Sequence, residues 1–336
     1  MPGFLQGTTW VEFRQSIDEG DALHRLICGI RGIPPGRAQG IAIQEGECPY
    51  IGLKTFQPED APLFFGRTAK IQELVDRLRN DFGTSKEERF LALIGASGSG
   101  KSSLALAGLI PAVRRGELPG SAQWPLVRCR PGYRPWENLQ IALANNQKVA
   151  VHLGALPALV SRPEDEQRRL HLITHLALHD QSESCRLFVL IDQFEEIFTL
   201  CGDEAARREL IDNILYATSV TQGRTIVVLT MRADFYGHCA SYPGLRAAIA
   251  DHQSLIGPQS EQELRETIES PAQLAGGALE PGLMELLLAD TKGQAGALPF
   301  SEHALFKLWG ETRWTTPDGK GIHGDGPAAR RSGYSR

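Results

Sequence analysis

Apolar residues fall into short solid runs, separated by longer stretches in which they recur every three or four positions. Phe90–Ile94, Pro125–Cys129, Leu187–Ile191 and Thr225–Thr230 are such runs, and a shorter one lies near Ser254–Ile256. Runs of this length without polar alternation suit strands buried on both faces, as in a parallel sheet. Helical spacing between them predicts helices covering both faces of that sheet over residues 48–257. From 258 to 310 the pattern is helical alone. Ser260 is placed to cap a helix running through SEQELRETIESPAQLAG, with Gln262 and Glu263 in its first turn. GLMELLLAD and SEHALFKLWG supply further amphipathic helices, and together these predict a small lid.

The two ends read differently. Thr8–Phe13 has a strand pattern, and Ile17, Leu23, Leu26, Ile27 and Ile30 recur at helical spacing. One strand and one helix cannot bury a core, so residues 1–30 read as the end of a domain whose beginning is missing, and 31–47 as a Pro/Gly linker. Apolar periodicity stops abruptly after Trp309. Residues 311–336 are Gly-rich and read as disordered, and the abruptness suggests a tail out of register with the rest of the gene. No internal repeat is visible.

Composition narrows the class. A length of 336 residues fits two or three domains, and 42% hydrophobic residues suffice for an ordinary core. Lys and Arg total 35 against 40 Asp and Glu, a formal charge of −5, which argues against a nucleic-acid partner. The arginine pairs Arg114–Arg115, Arg168–Arg169 and Arg207–Arg208 stand apart in mixed-charge stretches, as on solvated helix faces. Cys28, Cys48, Cys129, Cys185, Cys201 and Cys239 form no CxxC pair, which suits a reducing cytoplasm. The N-terminus has neither the basic nor the apolar segment of a secretory signal, and no apolar run is long enough to predict a membrane span.

The strongest chemical signal is LALIGASGSGKSS. Gly95, Gly100, Lys101 and Ser102 complete the GxxxxGK[ST] spacing, between an apolar strand and an apolar helix. Triphosphate oxygens need backbone N–H groups packed closely around them, and Gly95, Gly98 and Gly100 let the chain curl without Cβ clashes. The helix N-terminus adds about half a positive charge. Lys101 offers an ammonium to the β- and γ-phosphates and Ser102 a hydroxyl to Mg²⁺. Nucleotide contacts are therefore expected from Gly95, Ser97, Gly98, Ser99, Gly100, Lys101, Ser102 and Ser103. The bland alternative is a Gly/Ser-rich turn.

Asp192 follows the buried run Leu187–Ile191, about 90 residues after Lys101, and is placed to hold Mg²⁺ directly or through water. Many ATPases of this kind put a glutamate directly after that aspartate to polarise the attacking water, but here the position is Gln193. Glu195 or Glu196 could take the role, or both could simply favour the first turn of the next helix. Slow hydrolysis would follow. Arg232, just past Thr225–Thr230, is a candidate to sense the γ-phosphate, with an ion pair to Asp234 as the alternative. His171, His175 and His179 lie four apart and could share a helix face, for zinc or simply for solvent. No NKxD guanine-reading motif is present, so ATP is preferred over GTP.

The assembled residues resemble the STAND class of signalling NTPases, relatives of AAA+ and NB-ARC proteins, and in particular the bacterial STAND domains often linked to WD repeats. Pro49–Arg67, Gly95–Ser103, Leu187–Leu200, Val227–Cys239 and Gly296–Trp309 carry the resemblance, in consistent order. It implies an ASCE-type α/β P-loop NTPase core followed by a helical lid. It implies that Phe65, Gly66 and Arg67 help seat the adenine end, and that Pro299 is the lid proline that contacts nucleotide. It further implies a cytoplasmic, ATP- and Mg²⁺-dependent signalling switch that self-associates on activation, in bacterial defence or regulation. Gln193 departs from the pattern, and the winged-helix module and sensor repeats expected after Trp309 are absent. Residues 8–32 resemble the last strand and helix of a TIR domain, which would make an upstream TIR-like effector and a downstream sensor the partners. Two other readings compete: an AAA+-type motor, for which no pore loop or basic surface is visible, and a nucleotide-free scaffold, against which Lys101, Ser102 and Asp192 stand.

Overall fold

The solid apolar runs assemble side by side. β1 (Phe90–Gly95), β2 (Leu126–Cys129), β3 (Leu187–Ile191), β4 (Thr225–Arg232) and β5 (Gln253–Leu255) form one sheet in the order β2-β3-β4-β1-β5, every neighbouring pair parallel. A computed structural model describes residues 47–80, 82–85, 87–154, 163–279, 282–291, 296–309 and 314–315. The TIR-like segment, the linker up to residue 46 and most of the Gly-rich tail lie outside the described residues.

Every residue of β1 and β3 is buried, which is why neither shows polar alternation. Each buried Leu, Ile or Val in these strands is worth about 1.5–3 kcal/mol of removed apolar surface. Helices of this part of the fold include α1 (Thr68–Arg79), α2 (Pro135–Ala144), α3 (Gln147–Leu153), α4 (Arg169–Leu178), α5 (Glu204–Ser219) and α6 (Pro243–Asp251). Their apolar positions enter the sheet's core, as Leu74, Val75 and Leu78 of α1 and Leu210, Ile211 and Ile214 of α5 do.

Pairing register sets the functional edge. Gly95 is level with Arg232, and Cys129 with Ile191. The loops after β1, β2, β3 and β4 therefore leave the sheet at one edge, the carboxyl ends of the strands, where open parallel sheets bind ligands. β4 lies between β1 and β3, so it separates the phosphate-loop strand from the Asp192 strand. The helix after the phosphate loop runs from Lys101–Ser103 through a π-helical stretch, Leu104–Leu109, into Ile110–Arg114. Pro111 cannot donate to the carbonyl one turn back, which accounts for the wider turns before it.

The helices after the sheet are α7 (Glu261–Leu274), α8 (Leu283–Thr291) and α9 (Ala297–Trp309). α7 starts where the sequence places it: the Ser260 hydroxyl accepts the Glu263 N–H at 3.3 Å, and Glu263 accepts the Ser260 N–H at 2.7 Å. α9 begins earlier than SEHALFKLWG suggests, because Pro299 falls in its first turn, where N–H groups have no helical partner anyway. These helices build a second apolar cluster, with Leu264, Ile268, Leu287, Leu288, Leu305 and Trp309. Tyr50, which comes before the sheet in sequence, belongs to this cluster. Its hydroxyl donates to the Ile268 carbonyl at 2.5 Å, and its ring meets Trp309 edge-on with centroids 6.0 Å apart.

One stretch departs from the sequence expectation of disorder. Trp314–Thr315 pairs antiparallel with Ala278–Leu279, Ala278 opposite Thr315. A two-residue bridge leaves no apolar periodicity to read.

Candidate functional site

The phosphate loop is shaped by glycines the chain cannot replace. Gly98 has φ +73°, and a Cβ there would sit 2.7 Å from the Gly296 Cα at the start of α9. Gly66, also at φ +73°, would drive a Cβ to 2.2 Å from the Glu263 carbonyl oxygen of α7. Core and lid thus touch at these two glycines, and a side chain at either would part them.

Lys101 follows the loop and is 8% exposed; burial lowers the pKa of its ammonium, which donates to the Gly95 and Ala96 carbonyls at 2.9 and 2.7 Å. Among the described residues the hydrogen bonds of this cation go to loop carbonyls, which places its charge beside the phosphate loop. The Ser102 hydroxyl donates to Asp192 Oδ1 at 2.6 Å, so two residues about 90 positions apart meet as the sequence predicts. A hydroxyl and a carboxylate are hard oxygen donors of the kind Mg²⁺ takes alongside substrate phosphates. Among the described residues no group of three or more His, Cys, Asp or Glu is arranged to hold a metal. The pair Ser102 and Asp192 therefore fits a magnesium that shares its remaining positions with phosphate and water. His171 and His175 lie with ring centroids 6.4 Å apart, while His179 turns to His152 and Asp180.

Asp192 is fully buried, and its surroundings explain how that is tolerated. Thr230 Oγ1 of β4 donates to the same Oδ1 at 2.9 Å. Thr230 also organises the turn that follows. Its hydroxyl accepts the Gln193 N–H and its carbonyl accepts the Phe194 N–H, at 2.9 and 2.8 Å. Gln193 is thereby held at φ +59°, a left-handed conformation uncommon for a side-chain-bearing residue and typical of functional turns. Sequence reading used Thr230 only as the end of the apolar run, although a hydroxyl at the end of a buried strand was the signal.

The two glutamates diverge. Glu196 Oε2 accepts the Gly132 N–H at 3.0 Å and so fixes the turn after β2. Glu195 Oε2 accepts the Arg232 N–H at 3.3 Å at the end of β4, and Glu195 interacts electrostatically with Lys101. Burial pushes its carboxyl above the usual carboxylate value, against the pull of the Arg232 N–H and Lys101. A half-buried carboxyl of raised pKa beside the phosphate loop is suited to accept a proton. Arg232 itself forms a fork with Asp234, at 3.1 and 2.6 Å, so the ion-pair alternative is the arrangement found. Asp192 Oδ2 faces Arg130, with Nε and Nη2 both at 3.4 Å, and Arg128 Nη2 at 3.8 Å. Neither arginine was singled out in the sequence.

Beyond the phosphate end a cavity of about 260 Å³ opens between core and lid. Phe56, Phe64, Phe65, Leu264, Ile268, Leu298, Pro299 and Leu305 give it an apolar lining, with Lys101 and Ser102 at one end. Arg67 also lines it, but its guanidinium is spent on the Ser99 and Gly257 carbonyls at 3.2 and 2.9 Å, bracing the phosphate loop. Ser103 Oγ accepts the Phe56 N–H at 3.3 Å and ties the cavity's entry segment to the loop helix. Ser97 is exposed, and the buried Ser99 hydroxyl has no hydrogen-bond partner among the described residues.

Glu302 of α9 sits buried in this lining and accepts the Ile51 N–H at 2.8 Å. Burial pushes its carboxyl from 4.5 up to about 7, which the amides of Ile51 and Gly52 oppose. Because the folded value is raised, Glu302 contributes stability at low pH that is lost as pH rises through about 7. The loss amounts to about 3 kcal/mol. Glu302→Gln is expected to flatten the fall in Tm between pH 5 and 8 on thermal melts. Superimposable curves for the two proteins would refute this.

A parallel sheet with a glycine loop, a buried lysine, a hydrogen-bonded Ser–Asp pair and a carboxyl beside them defines a P-loop nucleotide-binding NTPase. The family model "Novel STAND NTPase 1" matches residues 49–321, and the chain belongs to that family. The match runs past Trp309 into the Gly-rich stretch. No curated protein sequence matches the chain. Among solved structures, the ORC2 protein of Aeropyrum pernix in ADPNP–ADP complexes is similar at 15% identity and TM-score 0.51, over 73% of this chain and 63% of that one. ORC1 of the same organism, in complex with DNA, is similar at 17% identity and TM-score 0.45, over 78% of this chain and 63% of that one. A Walker-type ATPase of Pyrococcus abyssi follows at 15% identity and TM-score 0.49, over 76% and 69%. The chain thus spans under two thirds of the ORC chains, and at these identities the likeness is one of fold. Among the described residues no helix is long and apolar enough to cross a membrane.

Proposed function

We propose that the chain is an ATP-controlled conformational switch that hydrolyses ATP slowly and self-associates in one nucleotide state. The observation that carries this reading is the cavity's construction. Its phosphate end belongs to the sheet and its apolar walls belong partly to α7 and α9, which have their own hydrophobic cluster. A ligand that fills it binds both parts at once, and so biases their relative arrangement by its differential affinity.

The chemistry suits a long-lived bound state. In hydrolysis the water oxygen bonds to the γ-phosphorus, the bond from that phosphorus to the β–γ bridging oxygen breaks, and its electron pair leaves with ADP. The water proton passes to the Glu195 carboxylate. Mg²⁺, held by Ser102 and Asp192, would neutralise phosphate charge. Gln193, an amide, stands where many related sites have a glutamate, and Glu195 lies two residues further on, clamped to the Arg232 backbone. Both features support slow turnover. The absence of a guanine-reading motif supports ATP over GTP. Membership of the STAND family supports a signalling role, in defence or regulation, in cytoplasm.

Calorimetric titration of ATP and GTP with Mg²⁺ tests the reading, with Lys101→Ala alongside. Charge-assisted phosphate hydrogen bonds contribute about 1.5–3 kcal/mol each, so the variant is expected to bind ATP at least about tenfold more weakly. Equal affinities for wild type and variant, or preferential GTP binding, would sink it. Turnover stimulated tens of fold by DNA, in contrast, would favour a motor.

A further inference from the structure

The cations at the carboxyl edge of the sheet are committed to different partners. Arg67 is buried against the Ser99 and Gly257 carbonyls, Arg232 is forked onto Asp234, and Lys101 lies on the phosphate-loop carbonyls. Arg128 reaches Asp192 with one nitrogen and gives another to Gln57 Oε1 at 2.8 Å. Arg130 differs. Among the described residues its side chain hydrogen-bonds only to Asp192 Oδ2, with both contacts at 3.4 Å. That is well beyond the 2.7–2.9 Å or so of a tight charge-assisted bond. The side chain is also 46% exposed.

Its backbone, in contrast, is pinned. Cys129 pairs with Ile191, so Arg130 leaves β2 level with Asp192. The next turn is held by the Asn138 amide donating to the Pro131 carbonyl at 2.7 Å and by Glu196 accepting the Gly132 N–H. Arg130 is therefore a loosely held cation on a fixed root. Its partner among the described residues is the carboxylate that Mg²⁺ would claim.

Asp192 is fully buried and already faces both Arg128 and Arg130, so a divalent cation added to its carboxylate would repel the more weakly held of the two arginines. We propose that Arg130 is a catalytic cation supplied in cis: from its place beside Asp192 its guanidinium pairs with the γ-phosphate when Mg²⁺ and ATP bind. There it forms no covalent bond. Its planar fork pairs with the γ-phosphoryl oxygens and meets the charge that builds as the bond to the bridging oxygen breaks. Arg128, anchored to Gln57, stays behind as a positioning residue for the β2 edge. Glu196, by fixing the Gly132 turn, positions Arg130. This inference rests on the NTPase reading above and adds the group that recognises the terminal phosphate.

The experiment is nucleotide binding to the full chain with Mg²⁺, comparing a fluorescent ATP analogue with the corresponding ADP analogue, for wild type, Arg130→Ala, Arg130→Lys and Lys101→Ala. Arg130 touches only the third phosphate, so Arg130→Ala is expected to lower the ATP-over-ADP preference about tenfold or more while changing ADP affinity less than about twofold. Single-turnover hydrolysis should fall by about a thousandfold, as for cis arginines elsewhere. Arg130→Lys keeps the charge on Asp192 but lacks the fork, so it is expected to fold like wild type and to restore only part of the preference. An unchanged ATP-over-ADP ratio in both Arg130 variants, with wild-type binding that depends on Lys101, overturns this inference and leaves the NTPase reading standing. Failure of the folded wild-type chain to bind either analogue overturns both.

Discussion

Replacing Glu195 with glutamine is expected to slow ATP hydrolysis by about 10²–10⁴-fold while ATP remains bound. The isosteric amide keeps the hydrogen bond from the Arg232 N–H, since its carbonyl oxygen can accept it at the same place. Only the ability to take a proton from water is lost. Glu196→Gln should cost far less, because that residue's work is to accept the Gly132 N–H, which an amide oxygen also does. The contrast between neighbours separates chemistry from turn geometry. pH adds a second signature. Burial raises the Glu195 pKa, and a base must be ionised to act. Turnover should therefore rise with pH through a midpoint above the ordinary carboxylate range, and this rise should vanish in Glu195→Gln. Single-turnover measurements on radiolabelled ATP check both points. Equal losses at 195 and 196 would return the assignment to the undecided pair that sequence alone leaves.

Trp309→Ala is expected to destabilise the helices after the sheet by about 3–5 kcal/mol, the usual cost of removing a buried tryptophan. Trp309 is 1% exposed and closes the cluster made by α7, α8, α9 and Tyr50. That cluster is distinct from the one around the sheet. The loss should therefore be local. Hydrogen exchange should show protection falling in α7 and α9 while the amides of β1 and β3 keep theirs. ATP affinity should weaken as well, since Leu264, Ile268 and Leu305 belong both to this cluster and to the cavity wall. Uniform loss of protection through the sheet would mean that the two clusters unfold as one.

Much of the phosphate end was legible because its determinants are local. Gly95 to Ser102 are contiguous, and a glycine turn between a solid apolar run and a helix has few other uses. Asp192 was legible for a related reason: a run buried on both faces must end where its first charged residue reaches the sheet's edge. Arg130 was not, because Pro125–Cys129 was read only for its apolar content. Yet an arginine just past a buried strand is the same signal that brought Arg232 to attention. The choice between Glu195 and Glu196 depends on Arg232 and Gly132, each distant in sequence, so no local pattern could make it. Glu302 was readable in principle. It falls with Leu298, Leu305 and Trp309 on one helical face, and a carboxyl at an apolar position calls for a partner. Its partner, the backbone of Ile51, lies 251 residues away. Tyr50 shows the limit most clearly, since proximity in sequence to the sheet says nothing about which cluster takes its ring.

That placement of Tyr50 has a mechanical consequence. The segment from Tyr50 to Gly52 is fastened to α7 through Ile268, to α9 through Glu302 and to Trp309 by ring contact. A few residues later, Phe56 and Gln57 are fastened to Ser103 and Arg128, on the sheet side. The stretch between, Leu53 to Thr55, works as a tendon crossing the joint. Any change in the angle between the terminal helices and the sheet would therefore have to be absorbed within Leu53–Thr55, a three-residue tether fixed at both ends.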